Sequence, residues 1–493
     1  MSLRSAQHAD RRWTALLIGL ACASLLVTLP GATSRPLTGD EVSSAIVISK
    51  PGPMAALQQV ARGESTPPLW YGLGWLTHAA GVPVESVRLL SAAAMAAVVV
   101  LTAVLARVSG LGLGACALAG GLAAFGDQFA DHGAELRAYA LFCLFTLVFA
   151  LVLLRATRDE SGGASWTLAA VVAAGTLTHY YFLFSVAAAA IWLATTPRLE
   201  PVRRRLLTMI ALGLIPLALW VPAFLHQYRA NRYSWIGRFS AHTVLASVGR
   251  MFVSPWVMSS LPRPAELIGL LLAVCGVVAL WPLPAGRLTA LLAVLPTTGA
   301  AALWWLGSPV FDLRNILGAA PFVAVAVAAA VARLPRLDEV AGAIVVLAVL
   351  AALVDARMHL GRTDFDRVSH SLTTRGWQPR DPIAVFGTVY GSVPLAWYLP
   401  GHPRLDPGRV RRLAHCRVLF VVAENARGRA WLRATSDSTT SIPAYGTADW
   451  APPGPPFEVA RVRLTPATGV ALRRSGARIF GTRGFPGCVA PST

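Results

Sequence analysis

The sequence predicts an all-α polytopic membrane protein with about eleven transmembrane helices and a small C-terminal α/β domain outside the membrane. Three observations support this prediction. Charged residues make up 14% of the chain and hydrophobic residues 55%, whereas a soluble domain usually carries about 25% charged residues. Apolar runs long enough to cross a hydrocarbon layer of about 30 Å recur through residues 1–355. Residues 356–493 are polar instead, which predicts a domain boundary after residue 355.

The predicted spans are apolar runs separated by short polar connections. One very long run is divided at 178–181, where two helices are expected to meet at a membrane surface. The aromatic run 67–80 begins with two prolines and is predicted to lie in the interface, where Trp and Tyr rings are favoured. The predicted spans are 13–30, 86–106, 111–126, 138–154, 164–179, 181–196, 206–225, 265–282, 288–306, 315–332 and 338–354.

The arginines give these spans an orientation. The N-terminus lacks a clear signal-peptide cleavage site before Pro30, which favours an uncleaved first helix with a cytoplasmic N-terminus. The connections that then fall inside carry most loop arginines, as the positive-inside rule requires. Topology therefore accounts for the net charge of +19, and no nucleic-acid partner is predicted. The inside arginines are Arg107, Arg155, Arg158, Arg198, Arg203, Arg204, Arg205, Arg287, Arg333 and Arg336.

One outside loop and the C-terminal region complete this topology. The loop 226–264 is basic; either its length lets it cross regardless of charge, or its charge serves an anionic ligand. In residues 356–493, the strand-like runs 383–386 and 417–422 alternate with helix-like stretches and predict a small extracytoplasmic α/β domain. Its two cysteines, Cys416 and Cys488, are either a disulfide or two free thiols.

Two acidic clusters follow apolar runs on the predicted outer side. Asp40 and Glu41 lie about ten residues after the first span and are candidates for a general base or a metal ligand. Thr38 and Glu41 also have capping-box spacing, which predicts a helix start there. Asp127, Asp131 and Glu135 are spaced four apart, so on one helix they would share a face. The alternative is a solvated helix end.

Two further groups carry cations or aromatic rings. Arg137 and Tyr139 lie at the mouth of the span 138–154, and Thr178-His179-Tyr180-Tyr181 forms an outer turn. Asp312 and Arg314 open the span 315–332; Arg314 is a candidate for binding a phosphate or for an ion pair that caps the span. No phosphate-binding glycine loop or zinc-spaced Cys/His cluster is found in the sequence, which disfavours an ATP-driven pump and a zinc protease.

These motifs, in this order, resemble the polytopic GT-C glycosyltransferases. The resemblance covers roughly residues 13–335 and is closest to bacterial family 39 and the RgtA/B/C/D-like group, relatives of protein mannosyltransferases and of the aminoarabinose transferase of lipid A. Asn315 departs from the family pattern, which often has Tyr there. The matching residues are Asp40 and Glu41; Pro67, Pro68, Leu69 and Tyr71; Arg137, Tyr139, Ala140 and Leu141; Thr178, His179 and Tyr180; and the run from Asp312 to Leu317.

The resemblance implies an inverting glycosyltransferase on the outer face of the membrane. The donor would be a polyprenyl-phosphate sugar held among membrane lipid, and the acceptor a hydroxyl of a glycan, glycolipid or protein. Asp40 would act as general base, with Glu41 beside it. Arg137, His179 and Arg314 would hold the donor phosphate, and Glu135, Tyr139 and Tyr180 would bind substrate.

The sequence leaves open whether a metal takes part, and it allows two other functions. No cofactor is expected, although Asp40, Asp131 and Glu135 are candidate ligands for a divalent cation such as Mg²⁺ or Mn²⁺. A secondary transporter or lipid flippase would also have functional charges within many spans. The acids gather at one predicted face rather than at the midplane, which favours the enzyme. A noncatalytic scaffold would not need Asp40 or Glu41.

Overall fold

The computed structural model describes most of the chain and divides it into two compact units. We call Met1–Ser34 with Ala45–Met358 the membrane unit, and Arg35–Ser44 with His359–Thr493 the sheet unit. The predicted boundary at residue 355 lies outside the described residues, so that boundary stays a prediction. The described ranges are 3–159, 163–230, 236–253, 263–333, 365–379, 381–386, 392–401, 406–408, 418–423, 426–436, 439–442, 457–463, 472 and 477–481.

The described residues up to 333 form helices almost throughout. Short 3-10 helices precede three of them, at Val84–Val87, Pro197–Leu199 and Arg314–Ala319. The α-helices are α1 (Leu3–Ser34), α2 (Gly39–Ile48), α3 (Pro53–Gly63), α4 (Leu69–Ala79), α5 (Arg88–Val108), α6 (Leu113–Phe125), α7 (Asp127–Gly133), α8 (Tyr139–Ala156), α9 (Gly163–Thr178), α10 (Phe182–Thr195), α11 (Glu200–Gly213), α12 (Ile215–Arg229), α13 (Ala241–Arg250), α14 (Arg263–Leu280), α15 (Pro284–Trp305) and α16 (Ala320–Val331).

The predicted spans correspond to these helices. Every predicted span overlaps a described helix except 338–354, which lies outside the described residues. Within the described part of the chain, five helices are long and apolar enough to cross a membrane, or up to seven if each of two bent pairs is one span; α9 and residues 267–280 are shorter apolar helices. The chain is therefore a membrane protein with many apolar helices.

Two predicted elements differ in detail from the structure, and a third forms the short helix that was predicted. The span 206–225 is divided between α11 and α12, because Pro216 in the first turn of α12 has no N–H to continue the preceding helix. The arginine connection at 198–205 is mostly helical, with Arg203, Arg204 and Arg205 in α11. The aromatic run 67–80 forms α4, whose 11 residues extend only about 16 Å, too short to cross the hydrocarbon core.

Small residues let the membrane helices approach closely. A Cβ on Gly276 of α14 would stand 1.8 Å from the carbonyl oxygen of Ala326 in α16, so the two backbones are in contact at this point. Small residues at helix interfaces are typical of membrane proteins, because dispersion contacts rather than water exclusion hold the helices together. This packing places α16 inside the bundle, where nearly all of its residues are buried.

The sheet unit combines a mixed β-sheet with helices, in agreement with the small α/β domain that the sequence predicted. The described strands have the order β2-β6-β1-β3-β5-β4, and β1 and β3 are parallel with Ile383 opposite Phe420. The predicted strands 383–386 and 417–422 are observed as β1 and β3. The strands are β1 (Ile383–Phe386), β2 (Asp406–Gly408), β3 (Val418–Ala423), β4 (Thr440–Ile442), β5 (Phe457–Arg463) and β6 (Arg478–Gly481), and the helices are α17 (Phe365–Thr374), α18 (Ser392–Tyr398) and α19 (Ala426–Thr435).

Helices cover both faces of this sheet, because its central strands alternate between two apolar cores. Ile383 and Val385 pack with Val368 of α17 and Leu395 of α18. Ala384 and Phe386, on the opposite face, pack in a second core that contains Trp431 and Leu432 of α19. Cys416 and Cys488 lie outside the described residues, so the predicted choice between a disulfide and two thiols stays open.

Candidate functional site

A buried ion pair lies at the start of α8. Arg137 Nη1 is 3.5 Å from Glu64 Oε2, and both side chains are less than one-tenth exposed. The bend that carries Arg137 is fixed from α5, since the Ser91 hydroxyl donates to the carbonyl of Glu135 at 2.6 Å. Burying a cation is unfavourable unless an anion compensates it. Glu64 therefore holds a positive charge inside the membrane unit.

Tyr71 connects this pair to α4. Its hydroxyl donates to Glu64 Oε2 at 2.7 Å and lies 3.0 Å from the hydroxyl of Thr66. Burial, and then the charge of Glu64, raise the pKa of Tyr71 well above its usual range. The phenol therefore stays protonated and remains a hydrogen-bond donor to the carboxylate.

The acidic cluster after α6 is arranged differently from the prediction of one shared helical face. α7 ends at Gly133, so Glu135 lies in the following bend and only Asp127 and Asp131 share the helix. His132 Nδ1 lies 2.6 Å from Glu135 Oε2. Asp127 and Asp131 are buried, so the alternative of a solvated helix end is wrong. The local reason is the Gly133-Ala134 step, where the helical hydrogen bonds stop.

An aromatic cluster surrounds His179. The Tyr139 ring lies 4.6 Å from His132 and 5.8 Å from His179, and the Phe142 ring stacks on His179 at 4.5 Å. The Arg137 guanidinium is 5.9 Å from the centre of the Tyr139 ring. Burial in the turn between α9 and α10, and then the charge of Arg137, lower the pKa of His179 to about 3. The structure thus brings Arg137, Tyr139 and His179 together, with His179 neutral at physiological pH.

Tyr180 takes part in a neighbouring hydrogen-bond chain. Its hydroxyl donates to Gln227 Oε1 at 2.6 Å and accepts from Trp220 Nε1 at 2.9 Å. Gln227 Nε2 in turn donates to the carbonyl of Val60 at 2.8 Å. This chain links the turn between α9 and α10 to α12 and to α3, a helix that the sequence did not predict.

Arg314 forms the local ion pair that the sequence offered as one of two alternatives. Its Nε lies 3.1 Å from Asp312 Oδ1, which also accepts from the Arg314 backbone N–H. The segment is tied to the His179 turn through the carbonyl of Val310, which accepts from the Tyr181 hydroxyl and, at 3.1 Å, from Asn315 Nδ2. Arg314 therefore opens a segment held against the aromatic cluster.

Asp40 and Glu41 belong to the sheet unit. The Thr38 N–H donates to Glu41 Oε2 at 2.8 Å, and the Glu41 N–H donates to Thr38 Oγ1 at 3.4 Å. The predicted capping box is thus confirmed, and it starts α2. Arg35 Nη2 lies 3.9 Å from the fully buried Glu41 carboxylate. Glu41 fixes the start of α2, whereas Asp40 is only partly buried.

The predicted metal ligands are not gathered in one recognisable site. In the described part of the chain, no group of three or more His, Cys, Asp or Glu side chains is arranged to hold a metal ion. Asp131 and Glu135 belong to the membrane unit and Asp40 to the sheet unit. A requirement for Mg²⁺ or Mn²⁺ stays a hypothesis for experiment.

Sequence reasoning missed several members of the site. Glu64, His132 and Gln227 contact predicted site residues directly, and Thr66 contacts Tyr71 of the family motif, but none of the four was a candidate. Glu64 and Thr66 immediately precede the Pro67-Pro68 motif, and this neighbourhood was the available signal. His132 lies within the acidic cluster, three residues before its partner Glu135, and that position was the available signal. Gln227 had no such signal, because its partner Tyr180 is brought near only by folding.

The described residues contain many apolar helices and a buried cluster of charged and aromatic side chains. Together these features define a polytopic membrane protein with a polar site. No protein-family model and no curated protein sequence matches the chain. Its structure aligns with the crystal structure of ArnT from Cupriavidus metallidurans bound to undecaprenyl phosphate, at a TM-score of 0.53 and 14% identity, over 91% of this chain and 97% of that chain. The chain therefore has the GT-C fold, as the sequence predicted.

Two further solved structures, both of glycosyltransferases, align at lower TM-scores. An oligosaccharyltransferase from Archaeoglobus fulgidus, in complex with Zn and sulfate, gives a TM-score of 0.47 at 12% identity, over 85% of this chain and 68% of that chain. The mycobacterial arabinofuranosyltransferase AftD gives 0.42 at 17% identity, over 92% of this chain and 41% of that chain. The fold assignment rests on the alignment with ArnT.

Proposed function

We propose that this chain is an integral membrane glycosyltransferase that moves a sugar from a polyprenyl-phosphate donor to an acceptor hydroxyl on the outer face of the membrane. The GT-C fold shared with ArnT, whose structure contains undecaprenyl phosphate, supports a polyprenyl-phosphate donor. The N-terminus would be cytoplasmic and residues 356–493 extracytoplasmic. The sugar and the acceptor stay open, and mannose and arabinose donors are both candidates.

The observation that carries the proposal is the buried pair of Arg137 and Glu64. A cation is held inside a membrane unit at 3.5 Å from one carboxylate, although such burial is unfavourable. A guanidinium presents a planar fork of N–H donors that matches a phosphate. Arg137 is therefore our candidate for the donor phosphate, and Glu64 compensates its charge and orients it.

The chemistry is a single displacement at the anomeric carbon. The acceptor oxygen attacks that carbon, the bond from the carbon to the phosphate oxygen breaks, and the anomeric configuration inverts. Asp40 takes the proton of the acceptor hydroxyl. Polyprenyl phosphate leaves with the bonding electron pair, so a fixed cation stabilises the leaving group better than a proton donor does.

The residues around Arg137 supply binding and orientation. Tyr139 lies beside both Arg137 and His179, and its ring is suited to pack against a sugar. A neutral His179 hydrogen-bonds an oxygen of the donor without adding charge. Glu135 is a candidate for binding a hydroxyl of the sugar. Arg314, paired with Asp312, supports the phosphate from the neighbouring segment, and Tyr180 positions the turn through Gln227.

The test uses the purified full chain and a panel of polyprenyl-phosphate sugars. Release of polyprenyl phosphate is measured with and without added acceptors, in chelator alone and after Mg²⁺ or Mn²⁺ is restored. Release from at least one donor is the expected result, and dependence on the ion decides whether a metal takes part. Absence of both hydrolysis and transfer across the panel overturns the proposal and favours a transporter or lipid flippase.

A further inference from the structure

A tyrosine of the sheet unit holds the backbone immediately before α2, whose first turn carries Asp40. The Leu37 N–H donates to the Tyr398 hydroxyl, and that hydroxyl donates to the Leu37 carbonyl oxygen at 3.1 Å. One side-chain group thus satisfies both polar atoms of one peptide residue. The Leu37 side chain is only 1% exposed, so water is a poor substitute for these hydrogen bonds.

Tyr398 is itself held from a second helix. It is the last residue of α18, and its carbonyl accepts from the hydroxyl of Ser369 in α17 at 2.7 Å. Leu399, the next residue, is buried in the apolar core that covers one face of the sheet. The position of the Tyr398 hydroxyl is therefore set by the packed core of the sheet unit.

The held backbone leads directly into the capping box. Thr38 follows Leu37, and its N–H donates to Glu41 Oε2 at 2.8 Å. Asp40 lies between the two capping residues, so its backbone is fixed by Tyr398 before it and by the start of α2 after it. An error of about 1 Å in the placement of a reacting group lowers a rate by about 10²-fold.

We infer that Tyr398 is a positioning residue for Asp40, so that the sheet unit takes part in catalysis by fixing the general base. This inference rests on the proposed function, in which Asp40 accepts the acceptor proton. It assigns the C-terminal region a role in the reaction that its sequence alone did not predict. Tyr398 does not need to contact either substrate for this role.

The variant Tyr398→Phe tests the inference because it removes only the hydroxyl. With the donor of highest turnover in the panel, kcat is expected to fall about tenfold or more, while KM for that donor stays within about twofold. Hydrogen exchange of residues 35–44 becomes faster, because the Leu37 N–H loses its acceptor. The control Tyr228→Phe changes a tyrosine that is 55% exposed and leaves all three values unchanged.

A double variant separates positioning from general loss of structure. In an Asp40→Asn background, Tyr398→Phe is expected to leave the residual rate unchanged, because no carboxylate is left to position. A further loss of the residual rate, unchanged hydrogen exchange, or a normal kcat in Tyr398→Phe each overturns the inference. An inactive wild type overturns the proposed function and this inference with it, whereas the exchange result still reports the contact between Tyr398 and Leu37.

Discussion

Arg137 and Glu64 form an ion pair inside the membrane unit, with 3.5 Å between Arg137 Nη1 and Glu64 Oε2. Four α-helices, α4 to α7, separate the two residues in the sequence, and only the fold brings them together. Tyr71 donates to the same Glu64 oxygen, so the carboxylate forms an ion pair with Arg137 and accepts a hydrogen bond from Tyr71. A phosphate approaching Arg137 would meet a guanidinium that is already oriented.

The ion pair predicts strong coupling between two substitutions. Glu64→Gln leaves a buried cation without its anion, and about 3–5 kcal/mol of stability is expected to be lost. Arg137→Gln instead removes the cation of the pair. The double variant is expected to lose much less stability than the two single variants together, because both charges are gone. Thermal unfolding of the four proteins in detergent measures the coupling. Additive losses would show that the two side chains do not interact in the folded protein.

Tyr71→Phe removes one hydrogen bond from the same carboxylate. Because Glu64 Oε2 is buried and accepts from the Tyr71 hydroxyl at 2.7 Å, the variant is expected to lose about 1–3 kcal/mol of stability. Tyr228→Phe, at an exposed position, provides the matched control and should unfold like the wild type. Equal unfolding temperatures for both variants would argue against the buried hydrogen bond.

Asp40→Asn tests the proposed base. Asparagine preserves the size of the side chain but does not take up the acceptor proton, so kcat is expected to fall by about 10²–10⁴-fold with unchanged expression and unfolding temperature. Asp10→Asn changes an exposed carboxylate in α1 and should retain full activity. Near wild-type turnover in Asp40→Asn would remove this residue from the mechanism.

Because His179 is buried in its neutral form, the folded protein is expected to become less stable in acid. Burial lowers its pKa to about 3 in the folded chain, whereas the unfolded chain binds the proton near pH 6.5. Between these two pH values the unfolded state therefore binds more protons than the folded state. The contribution of neutral His179 to the free energy of unfolding is complete above about pH 6.5 and declines as the pH falls toward 3. At pH 5 the decline is about 2 kcal/mol.

The measurement compares unfolding temperatures at pH 7.5 and pH 5 in the wild type and His179→Gln. The variant is expected to lose less stability between the two pH values, because glutamine does not titrate. His226→Gln, in an exposed position on α12, should keep the pH dependence of the wild type. If His179→Gln also keeps it, the histidine is not buried in a neutral form.

The sequence was sufficient for the features that depend on local pattern. Hydropathy predicted the helices, short strand-like runs predicted β1 and β3, and the spacing of Thr38 and Glu41 predicted the capping box that the structure contains. The Arg137, Tyr139 and His179 cluster was also anticipated, because each residue begins or follows an apolar run.

Features that depend on tertiary contacts were not predictable in the same way. Nothing local in Glu64 or Gln227 indicates that the fold places them against Arg137 and Tyr180. Glu135 was expected on the helix of Asp127, but α7 ends at Gly133, where the bend instead turns Glu135 toward His132. Likewise, the assignment of residues 35–44 to the sheet unit depends on contacts such as that between Leu37 and Tyr398, more than 300 residues apart.

Gly276 gives a final prediction, on the packing of α14 against α16. A Cβ at this position would stand 1.8 Å from Ala326 O and 2.3 Å from Ala326 C, and because both atoms belong to the backbone, a side-chain rotation does not relieve the overlap. Gly276→Ala therefore requires the helices to separate, with an expected loss of about 1–3 kcal/mol or more. The control Gly72→Ala places its Cβ in α4 with no atom within 4 Å, and alanine favours a helix. Thermal unfolding in detergent should show a lower midpoint for Gly276→Ala and an equal or higher one for Gly72→Ala; equal midpoints for both variants would contradict close contact between the two backbones.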